Sequence, residues 1–133
     1  MSFIDLPINN IDEIQEDKPV PEGTYKLVIA QAKEKHDEDG TLKGVLVICE
    51  IVGFEDAANV MHNMALPLAG DDPEKLKNKL KFIKRFTQLF KIPVRGNQFN
   101  LDDFVGKSAE CMLTQDSYND MVSNKIKLPP IKD

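Results

Sequence analysis

The stretch from Asp71 to Pro93 reads as the chain's only long helix, and both of its flanks read as β-structure. Few folds accept one helix in the middle of a strand series. Asp72 can cap the first free N–H groups, Pro73 suits the first helical position, and Glu74 faces the positive end of the helix dipole. Pro93 stops the helix. At about 100° per residue, Leu76, Leu80, Phe82, Ile83, Phe86, Leu89 and Phe90 fall within about half of the circumference. Lys77, Lys81, Lys84, Arg85 and Lys91 take the other half. The expectation is a helix over residues 73–91 with an apolar face in the core and a basic face outward. With strands on both sides, it would plug the open end of a small barrel or cover one side of a sheet.

The flanks supply the strands. From Gly23 to Lys35, Tyr25, Leu27 and Ile29 alternate with Lys26, Val28 and Ala30. The turn His36-Asp37-Glu38-Asp39-Gly40 follows, with Gly40 free to take a positive φ. Thr41 to Val52 makes a second strand, with Val45, Val47, Cys49 and Ile51 on one side and Leu46, Ile48 and Glu50 on the other. Val60 to Leu66 reads as a third strand. Beyond the helix, 95–103 is a polar connection carrying Phe99 and Leu101, and Phe104-Val105-Gly106-Lys107 opens a fourth strand in which Ala109, Cys111 and Leu113 alternate with Glu110, Met112 and Thr114. A hairpin loop at Ser117-Tyr118-Asn119-Asp120 leads to a fifth strand, Met121 to Leu128, ended by Pro129-Pro130. Three strands, one helix and two strands is the order of the OB fold, a mainly β five-stranded barrel with its helix between strands three and four.

At 133 residues the chain has the size of one domain. Its formal net charge of –5 comes entirely from residues 1–22, which carry six acids against Lys18 and leave sixteen charges of each sign in the other 111 residues. The body is therefore neutral overall and can still present a basic face. Residues 1–22 read as an acidic, extended N-terminal arm, with Phe3, Ile4, Leu6, Ile8, Ile11 and Ile14 set among acids, and 23–133 as the OB-fold domain. The arm is expected to pack loosely on its own domain; the other reading makes it a regulatory or partner-binding segment. No apolar run approaches the ~20 residues of a membrane span, and the start is too acidic for a signal peptide, so the expected compartment is the cytoplasm. Cys49 and Cys111 sit in apolar strand-like runs and read as reduced core thiols.

No catalytic constellation is visible. The chain lacks a Walker lysine loop, GxGxxG, GxSxG and HExxH-type spacing, and its two histidines, His36 and His62, have no metal-ligand partners in sequence. Asp37-Glu38-Asp39-Gly40 has the look of a calcium loop but carries Ile48 where the twelfth-position glutamate belongs, so it reads as a solvated turn. The expectation is a protein that is not an enzyme and carries no metal or cofactor.

Binding chemistry is easier to derive. In an OB fold the outer face of strands two and three, with the loops joining strands one to two and four to five, forms a groove for single strands, which needs cations for phosphates and flat side chains for bases. Lys33, Lys35 and Lys43 flank the first loop, Tyr118 sits in the second, and Lys125 and Lys127 follow it. Phe54 in the turn after strand two and His62 in strand three complete the candidate set, read as converging on one rim.

These features together resemble the small OB-fold single-stranded-DNA-binding proteins of bacteriophages. The resemblance is carried by Pro21-x-Gly23-x-Tyr25, Lys33-Glu34-Lys35 leading to Gly40, Glu50-Ile51-x-Gly53, the helix at 73–91, Val105-Gly106-Lys107, and Tyr118-Asn119 before Asn124-x-Ile126. It implies cooperative, sequence-independent coating of single-stranded DNA in phage replication or recombination, within the host cytoplasm. Lys33, Lys35, Lys43, Tyr118 and Lys125 are the matching groove positions. It also implies homo-oligomers and contacts with replication or recombination proteins; many such proteins make those contacts through an acidic C-terminal tail, where this chain has Leu128-Pro129-Pro130-Ile131-Lys132-Asp133, so either the N-terminal arm takes over that role or partner recruitment is absent. The competing class is a protein-interaction module that uses Leu46, Ile48 and the acidic arm without binding nucleic acid.

Overall fold

The computed structural model describes residues 2–7 and 17–132. The arm positions 8–16, including Ile8, Ile11 and Ile14, lie outside the described residues. Five strands form one antiparallel sheet: β1 (Gly23–His36), β2 (Leu42–Ile51), β3 (Val60–Ala65), β4 (Ser108–Tyr118) and β5 (Met121–Lys127). Among the described residues the single α-helix, α1 (Pro73–Leu89), lies between β3 and β4, as the sequence pattern predicts. Strand order across the sheet is β3-β2-β1-β4-β5. The edges β3 and β5 come within 8 Å between Cα atoms but share no hydrogen-bonded ladder, so the sheet curls without closing.

Alternation decides which side chains are inside. Leu27 and Ile29 of β1, Val45, Val47, Cys49 and Ile51 of β2, Val60 and Met64 of β3, and Cys111 and Leu113 of β4 are buried together. A register shift between Ile29 and Gln31 marks a bulge in β1. β1 pairs with β4 over Gly23–Val28 and with β2 over Leu27–His36, the bulge falling just past the β4 pairing. The β4–β5 turn has Asn119 and Asp120 both at positive φ, 51° and 63°, the type I′ geometry that matches strand twist.

Two expected elements start or stop elsewhere. Phe104 does not open a strand: Asn100 Oδ1 accepts from Asp102 N–H at 2.9 Å and caps a short 3-10 turn, Leu101–Asp103, after which the chain loops back onto Ile29. Phe104 is buried by that loop, and β4 begins only at Ser108. The helix ends at Leu89 rather than at residue 91, because Lys91 adopts φ 54° and the Ile92 N–H returns to the Thr87 carbonyl.

The helix also packs over less of its length than its pattern implied. Phe86 and Phe90 are buried and Ile83 and Leu89 partly so, whereas Leu80 and Phe82 are 49% and 50% exposed and Leu76 is exposed as well. The N-terminal half overhangs the sheet. It is held there by Asp71, whose carboxylate accepts from the Leu68 N–H at 2.8 Å and from Lys79 Nζ at 2.9 Å. Lys77 and Lys84 point to solvent as expected, while Lys81 and Arg85 are half-buried.

The packed body reaches back to Lys18, ahead of the Gly23 boundary. Lys18 bridges to Ala57, and Val20 is buried in the core with its N–H donating to Asn124 Oδ1 at 2.9 Å. Cys49 and Cys111 are buried free thiols, and burial pushes both up to about 12. Among the described residues no helix is long and apolar enough to cross a membrane.

Candidate functional site

The outward positions of β1, β2 and β3 form rows across the strands. Lys33 lies opposite Leu46, which lies opposite Asn63; Gln31, Ile48 and Met61 make the next row, and Lys35, Gly44 and Ala65 the row beyond. Gly44 carries no side chain, and a Cβ there would stand 2.9 Å from the Met64 carbonyl oxygen. Lys35 therefore reaches across β2 unobstructed, and its Nζ donates to Asn63 Oδ1 at 3.0 Å. The result is a cationic and apolar outer face, with Lys33 exposed and Met61 half exposed. Lys43 stands beside this face, at the register shift between the Lys35 and His36 pairs.

The candidates do not meet on one rim. β1, β3 and β5 run one way and β2 and β4 the other, so the β1–β2 turn and the β4–β5 turn lie at opposite ends of the sheet. Lys35 and Lys43 belong to the first end. Phe54, edge-on to Tyr25 at 5.3 Å between centroids, and Tyr118, 79% exposed at the hairpin, belong to the second. Lys125 and Lys127 are exposed on β5, in alternation with the inward Asn124 and Ile126.

His62 falls on the inner face of β3, between buried Val60 and Met64, and not on the outer face with Met61 and Asn63. Its ring lies on Phe86 with centroids 4.7 Å apart and planes 6° apart. Burial, helped by the nearby Lys125 charge, lowers its pKa from 6.5 to about 4. It is a neutral, packed imidazole at neutral pH.

The acidic turn between β1 and β2 satisfies itself. Asp37 Oδ1 accepts from the Asp39 and Thr41 N–H groups at 3.2 and 3.0 Å, and Gly40 takes φ 88°. Hydrogen bonding to Asp37, then to Thr41, holds the exposed Asp39 down at about 2. Among the described residues no group of three or more His, Cys, Asp or Glu is arranged to hold a metal ion.

A groove of about 830 Å³ opens where β3 and β5 fail to join, between residues 62–65, residues 126–128 and one side of α1. The sequence pattern did not reveal it. Its one sequence signal is Phe82, which sits at the edge of the helix's apolar half and is left uncovered. No protein-family model matches the chain, and a search of curated proteins finds no significant similarity.

Proposed function

We propose that the chain binds single-stranded DNA without sequence preference through the outer face of β1, β2 and β3, as a non-enzymatic protein of phage DNA replication or recombination. The observation that carries the reading is the juxtaposition of Lys33 and Lys35 with Leu46, Ile48 and Met61 on one uncovered sheet face. Ammonium groups meet phosphates, and the apolar side chains between them suit the faces of unstacked bases. The curled sheet, with β3 and β5 as its nearly touching edges, is taken as a half-open barrel of OB type. In such a barrel the bound strand crosses the β-strands. The acidic turn at residues 37–40 would flank its path on one side and the Tyr118 hairpin on the other. Asn63 holds Lys35 on the sheet, which lowers the entropy lost when a phosphate arrives.

The setting in phage replication or recombination comes from the sequence resemblance alone. A protein-interaction module using the same face is the rival. A gel shift with labelled oligo-dT and with duplex of equal length at low salt separates them: the proposal expects retardation of the single strand well before the duplex, and a module that binds only protein retards neither.

A further inference from the structure

The groove beside α1 and the first residues of the chain are chemically complementary. We propose that residues 2–7 of one copy dock in the groove of another, joining copies head to tail. Phe82 and Ile83 of α1 face Ile126 and Leu128 across the groove, and Arg85 and Lys127 supply cations to its lining. Phe82 is left half exposed with the Arg85 guanidinium 5.4 Å from its ring centroid. Among the described residues, Arg85 Nε is the one buried side-chain nitrogen or oxygen without a hydrogen-bond partner. Such a group is stabilised by an incoming acceptor.

The leader offers the matching features. Phe3 and Ile4 are 87% and 84% exposed, and Leu6 is exposed with them. In an extended segment Ile4 and Leu6 share one face and Phe3 and Asp5 the other. Phe3 and Asp5 can then meet Phe82 and Arg85 on the helix wall while Ile4 and Leu6 cover Ile126 and Leu128 on the opposite wall. Large apolar side chains in water at a chain end are costly unless something covers them. Among the described residues nothing covers them, and a second copy brings the groove that can. Charge favours the same match: the groove lining carries Lys75, Lys79, Arg85 and Lys127 against Asp72 and Glu74, and the docking segment brings Asp5. An arm-in-groove contact uses different surfaces on the two copies, so it propagates unless the ring closes.

Sedimentation of the full chain without nucleic acid tests the proposal independently of any DNA-binding role. The weight-average mass is expected to rise above the 15.0 kDa monomer with concentration, and more steeply at low salt. Deleting residues 1–7, which are exposed where described, should abolish the rise without altering the melting temperature. Phe82→Asp should abolish it too. Asp5→Arg and Arg85→Asp should each weaken association roughly tenfold, and the double variant should recover it. A fluorescent peptide of residues 1–7 should bind the deleted protein and not its Phe82→Asp form. A chain that stays monomeric at every concentration overturns the proposal, including when the peptide binds, because the leader then serves its own groove. Association that survives the deletion overturns it as well.

Discussion

The imidazole of His62 lies parallel to the ring of Phe86, 4.7 Å between centroids, and joins the third strand to the helix. Because its folded pKa of about 4 is below the ordinary 6.5, the unfolded chain takes up this proton first as pH falls. Stability from the neutral stack is fully present above about pH 6.5 and is lost as pH drops from there toward 4, at no more than about 1.4 kcal/mol per pH unit. His62→Phe keeps a flat ring on Phe86 and cannot titrate. Melting temperature followed from pH 7 to 4 should therefore fall less steeply for the variant; parallel curves for the two proteins would mean that His62 is not held neutral.

The helix packs into the core at one end only. Phe86 packs against His62, Phe90 and Phe104, so Phe86→Ala should cost ~3–5 kcal/mol in chemical denaturation. Leu80, half exposed on the overhanging portion, should cost under about 0.5 kcal/mol when changed to Ala. Equal losses at the two positions would contradict the one-ended packing.

Asn124 is the polar pin of the core. Its Oδ1 accepts from the Val20 N–H, and its Nδ2 donates to the Val20 and Thr114 carbonyls at 2.9 and 3.2 Å. Asn124→Leu leaves the buried Val20 N–H without its partner, the Val20 carbonyl keeping Gln115 Nε2 at 2.9 Å, and should destabilise the protein by ~1–3 kcal/mol. The segment before Gly23 should then become the first site of limited proteolysis. Unchanged resistance there would show that Asn124 does not hold the segment.

What the sequence made legible was periodic. The β2 faces came through because Val45, Val47, Cys49 and Ile51 alternate strictly, and the helix start because Asp72, Pro73 and Glu74 are local signals. The helix periodicity could not say how far the partner surface extends, so Leu76, Leu80 and Phe82 were assigned to a core that covers only the later turns. Asn124 and Val20 are 104 positions apart and carry no local signature of their pairing. Lys35 and Asn63 sit in adjacent rows and meet across β2 past the bare Gly44, a relation set by three strands at once. His62 has the chemistry of a binding residue, whereas its parity with Val60 and Met64 turns it inward. The groove depends on the gap between two strand edges, which no single segment encodes.

The most direct test of the central claim is the salt dependence of oligo-dT binding for the intact chain and for Lys33→Ala and Lys35→Ala. If the outer face of β1 to β3 holds the phosphates, each variant should lower the log–log slope by roughly 0.7, with affinity reduced alike on all single-stranded sequences. Lys77→Ala and Lys84→Ala, exposed on the helix, should leave the slope unaltered. A slope unchanged in the β1 variants and reduced in the helix variants would contradict the account, as would the absence of oligo-dT binding at low salt.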